Sequence, residues 1–92
     1  MARCLVLDGS AVADRAALHD ALARLLRFPD FYGRNWDALR DCMEDEDFCH
    51  VTEPTEVVWE QHAVYAAADP ECFAIVQRIF RETELPVTLR LA

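Results

Sequence analysis

Four side chains between Trp36 and Glu44 have the types and spacing to do chemistry. Asp37, Arg40, Asp41 and Glu44 stand at i, i+3, i+4 and i+7, which places them on one face of a helix turning about 100° per residue. Paired carboxylates can act as general acid and base, or they can meet the cations of a partner. Catalysis would need a cleft that desolvates the acids and separates their proton affinities. Acids at i and i+4 on an open helix face offer no such cleft in sequence, and 92 residues leave little room to build one. Recognition needs only rigid, pre-spaced charge. Like charges at i and i+4 cost an isolated helix about 0.2–0.5 kcal/mol. Arg40 relieves part of this, and Asp37 gains from the positive end of the helix dipole. A cationic partner offsets the remainder. The plainer reading is a solvated face that keeps the chain soluble.

Other reactive residues lead to weaker readings. Cys42, Cys49, His50 and His62 match no common zinc spacing, so neither a metal nor another cofactor is called for. His19 has no Ser or Cys partner signature and is expected at the packing edge of a helix. The four cysteines, 4, 42, 49 and 72, form no Cys-x-x-Cys pair and read as free buried thiols in a reducing compartment.

The charge belongs to one stretch. Between Asp37 and Glu60 lie nine carboxylates against the single Arg40, while the rest of the chain is balanced, so this segment carries the formal net charge of −8. That sign argues against direct binding to nucleic acid, which demands concentrated positive charge. It favours a basic protein partner. The N-terminal apolar run is too short for a signal peptide, and no run of about 18 apolar residues suggests a membrane span. The expectation is a cytoplasmic chain without membrane contact. With 53% apolar residues, two Gly and four Pro, it reads as one globular domain over residues 1–92.

These residues must be positioned by surrounding elements. Arg3–Leu7, ending at Asp8-Gly9, reads as a strand. Asp14 caps a helix whose apolar stripe is Leu18, Leu22, Leu25 and Leu26, and Phe28-Pro29 should stop it. Asn35 caps the acidic helix, which is expected to run to about Glu44 with Trp36, Leu39 and Met43 inward. A loop through His50, Thr52 and Pro54 leads to a short buried strand at Val57–Trp59. Glu60–Ala68 is ambiguous between helix and loop, with a short helix plus loop favoured. Asp69-Pro70 opens a helix with Cys72, Phe73, Val76, Ile79 and Phe80 as its apolar face, fading near Glu84. Val87–Leu91 alternates as a final half-buried strand. Helical crossovers between three strands predict a small three-stranded parallel α/β sheet with helices packed against it.

The run Phe28-Pro29-Asp30-Phe31-Tyr32-Gly33-Arg34-Asn35-Trp36-Asp37-Ala38-Leu39-Arg40-Asp41-Cys42, preceded by Leu18-His19, resembles the barstar family of intracellular inhibitors of barnase-type ribonucleases. The likeness continues through Val58-Trp59 and Phe80-Arg81-Glu82. The resemblance implies a non-catalytic inhibitor, monomeric when free, whose acidic helix and preceding loop block a ribonuclease active site. By position, Asp41 would be the principal acid and Asp37 the second, with Glu82 peripheral. Phe31 would be an aromatic contact, Tyr32, Gly33 and Asn35 would shape the loop and add contacts, and Ala38 would permit close approach. Arg40 stands where the family commonly has an aromatic, and the connection from Cys42 to Trp59 is longer than usual. With Glu44 and the acids after it, these departures point to a divergent ribonuclease or another basic toxin as target. The competing expectation is an acidic adaptor of the same fold that binds a non-nuclease partner.

Overall fold

The computed structural model describes residues 3–45, 48–49 and 53–92. Strand β1 (Arg3–Asp8) is followed by a single 3₁₀ turn (Gly9–Ala11), then helices α1 (Arg15–Leu26) and α2 (Trp36–Cys42). Strand β2 (Thr55–Glu60), helices α3 (Ala63–Ala68) and α4 (Pro70–Glu82), and strand β3 (Val87–Leu91) complete the chain. The sheet has the order β1-β2-β3 and is parallel throughout, with Arg3 opposite Thr55 and Thr55 opposite Val87.

Period-two alternation decides which face meets the helices. Leu7, Val57, Trp59 and Val87 point into the core, where Leu18, Leu22 and Leu26 of α1, Leu39 of α2, Tyr65 of α3 and Val76, Ile79 and Phe80 of α4 close over them. Each such side chain contributes about 1.5–3 kcal/mol on burial. Cys4, Val6, Thr88 and Arg90 face solvent on the opposite side, crossed by an Arg90–Glu56 ion pair at 3.0 Å.

Three helix starts follow the capping chemistry expected from sequence. The side chains of Asp14, Asn35 and Asp69 accept from the backbone N–H of Ala17, Ala38 and Cys72. The stops differ. Helix α1 ends two residues ahead of Phe28, because Arg27 adopts the left-handed conformation (φ 56°). Its own N–H and that of Phe28 both turn back to the Ala23 carbonyl, closing the helix before Pro29 acts. Helices α2 and α4 end at Cys42 and Glu82, each two residues short of the expected end. The ambiguous stretch after β2 forms α3, entered through Gln61 in the left-handed region. All four thiols are free, but Cys4 is exposed on the outward face of an edge strand, against the expectation of burial.

Candidate functional site

The loop between α1 and α2 is fixed at both ends before any partner is considered. Left-handed Arg27 and Arg34 bracket it, and Tyr32 N–H bonds the Pro29 carbonyl at 3.0 Å. Asn35 caps α2 through Oδ1, 2.8 Å from Ala38 N, and its Nδ2 donates to the Gly33 carbonyl at 3.3 Å. Arg34 reaches Asp20 of α1 at 3.0 Å. Beneath the loop, the Tyr32 hydroxyl and His19 Nδ1 share a hydrogen bond of 2.5 Å. The His19 ring lies 4.7 Å from that of Trp36 and the Tyr32 ring 4.9 Å from that of Phe28. His19 is thus a buried keystone rather than a residue at the helix edge.

Burial holds the His19 imidazole below its ordinary value of 6.5, Asp20 pulling it up and Arg15 and Arg34 pressing it further down. The folded protein therefore takes up this proton less readily than the unfolded chain. Stability is at full value above about pH 6.5 and falls as pH drops through that value toward the folded pKa. The urea midpoint is expected to be lower at pH 5 than at pH 7.5, and His19→Gln should flatten that difference. Asp8 is also held low, first by the Ser10 backbone N–H and then by its side chain, and Asp69 first by the Cys72 side chain and then by its backbone N–H, but both act below the ordinary carboxylate value of 3.8. An unchanged slope in the His19 variant would mean that another group carries the dependence.

Helix α2 divides as its spacing requires. Leu39 and Met43 are fully buried and Trp36 is half-buried, while Asp37, Asp41 and Glu44 are exposed. None of these three acids forms an ion pair among the described residues. Arg40 does, but with Glu82 of α4 at 3.3 Å rather than with Asp37 or Glu44. The Thr83 hydroxyl donates to the Met43 carbonyl, which holds the ends of α2 and α4 together. Glu44, Glu82 and Glu84 consequently line one concavity of about 340 Å³. Glu84 was not singled out from the sequence, because only the contact between the two helix ends brings it to this face.

Phe31 is 75% exposed on the loop, and its ring meets Phe48 edge-on at 5.6 Å. Phe48 was also missed; its only sequence signal is an aromatic directly after the acidic run. Ala38 is half-buried, and Gly33 and Asn35 are exposed. Phe31, Tyr32, Gly33 and Asn35 thus lie in or at the end of the loop that leads into α2, and Glu82 joins α2 through Arg40. Glu46, Asp47, His50 and Thr52 lie outside the described residues. A larger groove of about 510 Å³ between α4 and β3, lined by residues such as Phe80, Leu85 and Leu89, contains none of the selected acids.

No group of three or more His, Cys, Asp or Glu able to hold a metal occurs among the described residues. His62 stacks on Phe73 and bonds the Ala92 carbonyl, within the α3–α4 end of the fold. Burial pushes the Cys49 thiol up to about 11 and raises Cys42 as well, the behaviour of inert structural cysteines. No helix among the described residues is long and apolar enough to cross a membrane.

A three-stranded parallel sheet backed by helices, with carboxylates that have no ion-pair partner among the described residues on a capped helix, defines a small acidic α/β domain. The chain belongs to the Barstar (barnase inhibitor) family, whose sequence model matches residues 2–89. It is also 49% identical over 41 residues to a Bacillus subtilis (strain 168) protein named "Putative ribonuclease inhibitor YrdF". That match spans 45% of the chain and 45% of the relative's length.

Proposed function

We propose that the chain is a non-catalytic inhibitor of a basic, barnase-type ribonuclease, acting inside the cell that makes it, and that α2 and the loop before it occupy the enzyme's active site. The observation that carries this reading is the state of Asp37 and Asp41. Both are exposed on a helix held by a cap, a braced loop and a buried inner face, and neither has an ion-pair partner among the described residues. Carboxylates fixed in this way are presented where a nuclease site holds phosphates, without reorganisation on binding. Family membership and the name of the Bacillus subtilis relative support the same partner class.

The test is titration of barnase-catalysed RNA cleavage with this protein at low and moderate salt. Stoichiometric inhibition that weakens as salt rises is expected, since exposed charges are screened over a Debye length of about 10 Å at 0.1 M. Absence of inhibition at both salts would overturn the barnase-type reading and turn the search to a divergent ribonuclease or a non-nuclease basic partner.

A further inference from the structure

Arg40 is a cation in the middle of a face whose other charges are negative, and the fold leaves its side chain partly exposed. Its side chain is 40% exposed, and among the described residues only Nη1 is engaged, by Glu82 Oε2 at 3.3 Å. A guanidinium has five N–H donors. In a closed interface the donors not used by Glu82 would lose water, and each left without an acceptor carries a desolvation penalty. A partner cation opposite Arg40 would add like-charge repulsion to that loss, whereas a partner carboxylate would supply paired acceptors in the guanidinium's planar geometry.

We infer that Arg40 is a specificity-determining residue, selecting a ribonuclease that presents a carboxylate opposite it and rejecting one that presents a cation there. Glu82 is the positioning residue, holding the guanidinium at the α2–α4 junction. This inference rests on the inhibitor reading above and deepens it: the target is basic around Asp37 and Asp41 but locally acidic next to Arg40. Rejection of wrong partners through a misplaced charge is a general route to specificity.

The experiment uses barnase and a set of barnase variants carrying single Asp substitutions around the rim of the active site, each titrated with the full-length chain and with Arg40→Leu. Thermal denaturation first establishes that both inhibitor forms are folded. At least one Asp variant is expected to be inhibited ten-fold or more tightly than barnase itself by the wild-type chain. That gain should vanish with Arg40→Leu, and it should shrink with Glu82→Gln, which weakens the hold on the guanidinium by removing the ion pair. If no Asp variant gains, or if the gain survives in Arg40→Leu, the specificity role is overturned while the inhibitor reading stands. If neither folded form inhibits barnase or any variant, both readings fall.

Discussion

Replacing Asp41 with Ala is expected to abolish most of the inhibition while leaving the fold nearly untouched. Removing one partner of a desolvated charge pair weakens a protein complex by about 2–5 kcal/mol, roughly 30-fold to several thousandfold in Kd. That range is taken from charged interfaces in general, the barnase–barstar pair among them, rather than from this chain's geometry. In the free protein Asp41 is exposed and has no ion-pair partner among the described residues. Its loss also relieves repulsion from Asp37 one turn earlier. Surface substitutions of this kind move stability by about 0.5 kcal/mol or less, a shift of about 2–4 °C in melting temperature for a domain of this size. Inhibition titrations and a melting curve on the same preparation separate the two effects. A collapsed melting temperature with proportionate loss of inhibition would make Asp41 a structural residue and remove it from the interface.

The opposite separation is expected at Gly9, where a methyl group should destabilise the protein strongly without touching the acidic face. A Cβ there would lie 2.3 Å from the Glu60 carbonyl oxygen, 2.9 Å from that of Gln61 and 2.8 Å from Trp59 Nε1. The first two are backbone atoms at the exit of the central strand, and Gln61 already holds the left-handed conformation that turns the chain into α3. Neither can retreat without disturbing β2. The indole belongs to a fully buried residue packed on Tyr65 and Phe73. Gly9→Ala is therefore expected to cost about 3 kcal/mol or more, at the upper end of overpacking effects. At about 4–8 °C per kcal/mol the melting temperature should drop by about 12 °C or more. Gly33→Ala is the control: its Cβ would meet the Asn35 amide at 3.2 Å and Ala38 Cβ at 3.5 Å, with no backbone atom among the neighbours. A wild-type melting curve for Gly9→Ala would refute the tight approach of the 3₁₀ turn to β2.

Local chemistry was legible in the sequence where one residue decides the outcome. Asp14, Asn35 and Asp69 cap the helices they were expected to cap, and the stripe of Trp36, Leu39 and Met43 turns inward. Parallel pairing followed from strands separated by helices. What escaped the sequence depended on contacts far along the chain. Arg40 has acids one turn away on its own helix, yet its partner is Glu82, because the α2–α4 junction brings that carboxylate within reach. The same junction recruits Glu84. Pro29 suggested where α1 should stop, but a left-handed Arg27 stops it earlier, and a non-glycine residue gives little advance sign of that conformation. Cys4 read as buried because it lies inside a predicted strand, but alternation on an edge strand turns it outward. The contact roles of Phe31, Asp37 and Asp41 rest on the resemblance and on their exposure, and the inhibition titrations address them.

The all-parallel sheet also constrains how the chain reaches its native state. Neither strand pair is a hairpin: Arg3 must find Thr55, and Thr55 must find Val87, so no part of the sheet can form from neighbouring residues. Topologies built on such distant pairings fold slowly for their size, because loop closure precedes the reward of contact. The segment that must be gathered to join β1 to β2 includes the most acidic stretch of the chain, whose charges resist compaction. Added salt should therefore speed refolding even as it weakens the grip on a cationic partner. The same carboxylates are thus expected to retard assembly of the molecule and to promote its encounter with the proposed target, with ionic strength moving the two rates in opposite directions.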